Sequence, residues 1–142
     1  MRDAIHPYEG SCHCGALGFT YLCTQPAEQW EVRECQCTFC RRHNSRNVSD
    51  PRGSVQIHVR DASKLERYRF GSKTTDFLLC KGCGVYIAAV LESPAGSFAT
   101  ININAIQPPV SVKSGRPMDY DAESAEDKRL RREQRWTPVV ER

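Results

Sequence analysis

Three thiols fall within six positions of the stretch ECQCTFCRRHN: Cys35, Cys37 and Cys40. A C-x-C pair followed by x-x-C can bring three sulfurs round to one centre. Three thiolates on a zinc ion carry a net charge of about −1, counting each coordinating thiol as deprotonated. Such a centre is soft and suits a further thiol sulfur. It is also one ligand short of a closed tetrahedral site, and an open fourth position is the mark of a catalytic zinc. His43, three residues after Cys40, could instead close it, since histidine pairs well with cysteine on zinc. Iron in a four-thiol site is a further possibility on ligand type alone.

Four more cysteines form two pairs. In CKGCG, Cys80 and Cys83 have the spacing of a zinc knuckle, and Gly82 and Gly84 permit the positive φ angles and close approach of such a turn. In SCHC, an extended strand would put Cys12 and Cys14 on one side and turn His13 away. Cys12, Cys14, Cys80 and Cys83 would make a four-thiol structural site closing a long loop. Spacing alone does not choose the partner of the Cys80 and Cys83 pair; Cys35 and Cys37 would serve as well. The eighth cysteine, Cys23, shares a strand face with Phe19 and Tyr21 and reads as a core thiol. His6 and His58 read as surface or strand residues. Arg41 and Arg42 directly follow the third thiol of the triplet, and Arg41 could orient an anionic substrate there.

The elements that must position these groups read mostly as short strands. Residues 19–23 alternate, and so does the segment 30–37, with Trp30 and Val32 on one face. Residues 41–53 are polar and turn-rich and read as a loop. Further strands are expected at 54–60 and 65–71, on either side of the Cys80–Cys83 turn, and at 96–105. Residues 124–136 read as a helix with Ser124 as N-cap and Asp127 three residues on. Acids precede bases along that helix, which suits its dipole. Its basic run is interleaved with acids and reads as a helix face more than a nucleic-acid footprint.

The bulk numbers agree with a metal-stapled single domain. The chain has 142 residues, 39% hydrophobic and 26% charged, less apolar than the usual globular share. A net charge of +3 does not by itself call for nucleic acid. No apolar run reaches the roughly 18 residues of a spanning helix, and the N-terminus has no secretory apolar core. A reducing, cytoplasmic setting is expected, in which clustered cysteines serve metal or catalysis rather than disulfides.

The motifs GSCHCGALGF, CQCTFCRR and FLLCKGCG, in this order, resemble the glutathione-dependent formaldehyde-activating enzyme family. The C-terminal DKRLRREQRWTPV also resembles tails of some members. The resemblance implies a mainly β, Mss4-like fold of zinc-stapled antiparallel sheets with a short C-terminal helix or tail. Residues 1–110 would be the zinc domain and 111–142 an extension packed on it or trailing from it. It implies two zinc ions, a structural one on Cys12, Cys14, Cys80 and Cys83 and a second, at the active site, on Cys35, Cys37 and Cys40. The implied activity is carbon–sulfur bond chemistry on a thiol–aldehyde adduct, with glutathione and formaldehyde as partners and S-hydroxymethylglutathione as product. The alternative is a non-catalytic zinc module that contacts protein or nucleic acid through the basic residues 41–52 and the C-terminal helix.

Overall fold

The computed structural model describes residues 5–71 and 73–140. Strands β1 (His6–Ser11), β2 (Leu17–Cys23) and β5 (Ser54–Val59) form a three-stranded antiparallel sheet in the order β1-β2-β5. The alternation expected at 19–23 holds: Phe19, Tyr21 and Cys23 are buried, and Thr20 and Leu22 only partly so.

The larger sheet takes β3 (Arg33–Cys35), β4 (Asn47–Val48), β6 (Leu65–Tyr68), β7 (Thr75–Cys80), β8 (Tyr86–Ser93), β9 (Gly96–Asn102) and β10 (Arg116–Met118). Their order is β10-β3-β4-β9-β8-β7-β6, antiparallel except for the parallel β10–β3 pair. A last strand, β11 (Thr137–Pro138), pairs with the half of β9 that β4 leaves free. The mainly β architecture expected from sequence is thus the one observed.

Strand β8 is buried on both faces, which explains its near-continuous apolar run YIAAVL. Ile87 and Ala88 join Phe19, Tyr21, Val55 and Ile101 in the core between the two sheets. Tyr86, Ala89 and Leu91 join Phe77, Cys40 and Trp136 in a second cluster. That second cluster lies under helix α2 (Ala125–Arg135), which packs on β8 and β9.

Helix α2 starts where the sequence indicated. The Ser124 hydroxyl accepts from the Asp127 N–H at 3.1 Å. Its inward face is unusual: α2 has no fully buried residue, its half-buried positions include Lys128, Arg131, Arg132 and Glu133, and Leu130 is 42% exposed. Apolar burial therefore comes from the residue after the helix, Trp136. The segment is also tied down by polar contacts. The Ser49 hydroxyl donates to the Arg135 carbonyl, the Asp50 N–H donates to the Thr137 hydroxyl, and the Ser93 hydroxyl donates to Glu133.

Three local expectations need correction. The segment 41–53 is not a continuous loop, because helix α1 (Thr38–His43) runs into it and β4 lies within it. The N-cap of α1 is Cys37, whose sulfur accepts from the Cys40 N–H at 3.3 Å, so no Ser, Thr, Asp or Asn announces the helix. The strand expected over 30–37 is confined to β3, because Cys37 already caps α1. Cys12 and Cys14 are not on an extended strand. β1 ends at Ser11, and residues 12–16 form a tight connection closed by Cys12 N–H to Leu17 O at 2.9 Å, with Gly15 at φ +87°.

Candidate metal centre and cavity

All eight cysteines are free thiols. Seven of them converge into two groups. The first is Cys12, Cys14, Cys80 and Cys83, with all four sulfurs within 4.8 Å of one another. Sulfur–sulfur distances of 3.8 Å (Cys12–Cys14) and 3.5 Å (Cys14–Cys80) lie at and just below the roughly 3.8 Å edge of a tetrahedron with zinc–sulfur bonds of about 2.3 Å. This donor set fits a closed zinc site. The Cys12–Ala16 connection faces the Cys80–Cys83 turn, so the group joins the two sheets across the core.

Backbone N–H groups turn toward these sulfurs, Leu17 N–H to Cys12 and Gly82 N–H to Cys80, each at 3.3 Å. The two glycines of CKGCG divide the work. Gly84 takes φ +80°. Gly82 supplies close approach, since a Cβ there would sit 3.5 Å from the Cys14 sulfur and 3.1 Å from Lys64 Nζ. Burial acts to raise the Cys83 thiol, but hydrogen bonds from the Cys14 and Val85 N–H groups and from neighbouring thiols outweigh it and bring it to about 6. Cys80 is pushed up to about 11, chiefly by burial.

The second group is Cys35, Cys37 and Cys40, also within 4.8 Å of one another. Cys35 ends β3, Cys37 caps α1, and Cys40 lies one turn into that helix. Among the described residues no further Cys, His, Asp or Glu joins this group. His43 is not the missing ligand. It lies on the last turn of α1, where its ring packs on Phe39 with centroids 4.3 Å apart. Without metal, hydrogen bonds from Cys35 and Cys40 hold the Cys37 thiol down, to about 2. The bond with Cys37 raises Cys35, the bonds with Cys35 and Cys37 raise Cys40, and burial adds to both.

These three thiols line a cavity of about 90 Å³. Its floor is the outer face of the large sheet, where Phe77, Ala89 and Thr100 stand side by side on β7, β8 and β9. Tyr86 and Asn47 continue the floor, with the Tyr86 hydroxyl donating to Asn47 Oδ1 at 3.2 Å. Burial, and then the neighbouring thiols, raise the Tyr86 pKa well above its ordinary value, so it stays a neutral phenol. The opposite wall comes from the C-terminal segment: Tyr120, Asp121, Lys128, Arg131, Arg132 and Trp136.

Arg41 is exposed on α1 and outside this lining. The cations that do line the cavity are Arg33, Lys128, Arg131 and Arg132. Sequence reasoning missed them because each looks like an ordinary charge on a strand or helix. One signal was available: Arg33 follows Trp30 and Val32 and stands two residues before Cys35, which places a charge beside a metal-spaced thiol. Cys23 is buried, as expected, and donates to the Gln25 carbonyl at 3.1 Å.

Comparison with known proteins agrees with this geometry. The family model for glutathione-dependent formaldehyde-activating enzyme matches residues 7–120. The chain belongs to that family. Its fold is similar to a crystal structure of a Rhodobacter sphaeroides protein, with a TM-score of 0.52 and 23% identity over 72% of this chain and 90% of that one. No curated protein matches the chain. No described helix is long and apolar enough to cross a membrane.

Proposed function

We propose that this protein is a zinc-dependent enzyme of the carbon–sulfur lyase and synthase type. It acts in the cytoplasm on the adduct of a thiol with an aldehyde, with glutathione and formaldehyde as the pair and S-hydroxymethylglutathione as the adduct. One observation carries this reading: a three-thiol group on the wall of a cavity, with no fourth ligand among the described residues. Cys12, Cys14, Cys80 and Cys83 hold a structural zinc. Cys35, Cys37 and Cys40 are ligands of a second zinc and not covalent nucleophiles.

Zinc held there would supply a soft Lewis acid that lowers the pKa of a substrate thiol. The chain's own residues confine and orient the reactants. In the forward direction the substrate sulfur's electron pair forms the bond to the aldehyde carbon. The C=O π pair moves onto oxygen, which takes a proton. In reverse the carbon–sulfur bond breaks and thiol and aldehyde separate. The neutral Tyr86 phenol and the Asn47 amide offer hydrogen bonds on the floor, and alignment beside the aldehyde supplies much of the rate. Residues between Tyr120 and Trp136, in the C-terminal extension, wall the same site. Arg41 would orient only a part of the substrate that reaches beyond the cavity.

The test is an exchange experiment. Zinc-loaded protein is expected to accelerate interconversion of glutathione plus formaldehyde with their adduct, followed by NMR exchange spectroscopy, and Cys40→Ala should abolish the acceleration. A zinc-loaded wild type with no effect on the exchange would overturn the reading.

A further inference from the structure

The cavity holds more positive charge than its neighbours neutralise. Arg131 is already engaged, since it forms a two-pronged pair with Glu123 at 2.9 and 3.0 Å and stacks on Tyr120 at 3.6 Å. Arg33 and Arg132 are different. Arg33 Nη2 donates to the hydroxyls of Ser49 and Thr100 at 2.7 and 2.9 Å. Arg132 Nη1 donates to the Thr75 hydroxyl at 2.7 Å, and its guanidinium lies over Trp136 at 4.8 Å. Neither pairs with a carboxylate of the described residues. The Nε of Arg132 is buried with no hydrogen-bond partner among the described residues.

This arrangement has a direct physical reading. A guanidinium has five donors and a fixed charge. Hydroxyls fix the direction of these two guanidiniums, Ser49, Thr100 and Tyr120 for Arg33 and Thr75 for Arg132, and leave the charge without a carboxylate partner among the described residues. Even partial burial of an unpaired cation has a cost, and α2 gains little apolar burial in return, because no residue of that helix is fully buried. The one acid on the cavity lining, Asp121, makes no ion pair with either arginine. The vacant charge faces the cavity that also holds the three thiols.

We infer that Arg33 and Arg132 form an anion subsite that binds a carboxylate of the thiol substrate while its sulfur lies at Cys35, Cys37 and Cys40. This rests on the thiol–aldehyde reading for the identity of the substrate, although the anion subsite itself does not. Arg33 comes from β3 and Arg132 from α2, which lies beyond the residues matched by the family model. Selection for an anionic thiol is thus completed by the C-terminal helix. The two arginines are positioning residues, and the competing role is a structural one, in which they merely balance the charge of the thiolates.

Three probes separate these roles, each titrated into zinc-loaded protein by calorimetry. They are 3-mercaptopropionate (thiol and carboxylate), 2-mercaptoethanol (thiol alone) and 3-(methylthio)propionate (carboxylate with the sulfur capped). A charge-assisted hydrogen bond predicts that wild type prefers 3-mercaptopropionate to 2-mercaptoethanol by about tenfold or more. Arg132→Gln should remove that preference and leave 2-mercaptoethanol binding unchanged, while Arg132→Lys should restore part of it. Equal binding of the two thiols by wild type overturns the proposal with no variant needed, as does a preference that survives in both Arg132→Gln and Arg33→Gln. If neither thiol contacts the metal group but 3-(methylthio)propionate binds in an Arg132-dependent way, the anion subsite stands and the thiol–aldehyde reading falls. If no carboxylate probe binds, the subsite falls whatever the thiols do.

Discussion

Two groups of the same ligand, one of four thiols and one of three, sit in this chain under different constraints. The four-thiol group is made by two turns that face each other across the core, a connection between β1 and β2 and a knuckle between β7 and β8. The two halves are more than sixty residues apart in sequence, and the connection from β5 to β6 also bonds to both, through Arg60 and Asp61 to Ala16 and through Lys64 to Lys81. The three-thiol group is local, spanning the end of β3 and the first turn of α1, so it closes no long loop. Its surroundings are instead a cavity with a phenol, an amide and guanidiniums. On the proposed function, the same soft donors would serve architecture where they join distant chain segments, and reactivity where they line a cavity.

The sharpest way to break this contrast is to remove one ligand from each group. Cys80→Ser should cost about 4 kcal/mol or more, as expected when a structural metal is lost, and give a chain that no longer unfolds cooperatively in denaturant. Cys40→Ala should keep a cooperative transition with a loss of about 1–2 kcal/mol, the ordinary cost of a core substitution, and native mass spectrometry should show one zinc fewer. Equal destabilisation by the two changes would erase the distinction between staple and open site.

A second measurement concerns protons. In the metal-free three-thiol group Cys37 is held low while Cys35 and Cys40 are raised. At neutral pH Cys37 is thus already a thiolate, and Cys35 and Cys40 each still hold a proton. Zinc uptake there should release two protons, so affinity should rise about a hundredfold per pH unit and weaken as pH falls. Calorimetry on the Cys40-intact chain in buffers of different ionisation enthalpy reads the number directly. Release of three protons would mean that Cys37 is not preset.

The smallest effect belongs to the helix that walls the cavity. Ser124→Ala removes the cap on the Asp127 N–H and should cost about 1 kcal/mol. Amide exchange should quicken in the first turn of α2 and leave the four-thiol end of the sheets unchanged. A change spread evenly over the molecule would show that α2 and the sheets open as one unit.

Much of this organisation was legible in the sequence. Seven cysteines in C-x-C, C-x-C-x-x-C and C-x-x-C order name their own chemistry, because ligand spacing is local and zinc tolerates few donor types. The alternation of β2, the double-sided apolar run of β8 and the Ser124 cap are likewise consequences of residue period and backbone hydrogen bonding. Helix α1 escaped notice because it has six residues and a cysteine for its cap, too little for a periodicity to register. The turn at Cys12–Ala16 escaped because C-x-C satisfies a strand and a tight connection equally well.

What only the tertiary structure decided is which charges meet which thiols. Arg33 and Arg132 lie almost a hundred positions apart and carry no motif. Whether an arginine is a solvated surface charge or a half-buried one without a carboxylate partner depends on the surroundings assembled around it. The grouping of Cys12 and Cys14 with Cys80 and Cys83, left open by spacing alone, likewise arises only on folding. Local chemistry is written in neighbouring residues, whereas the field in which it acts comes from residues that only folding brings together.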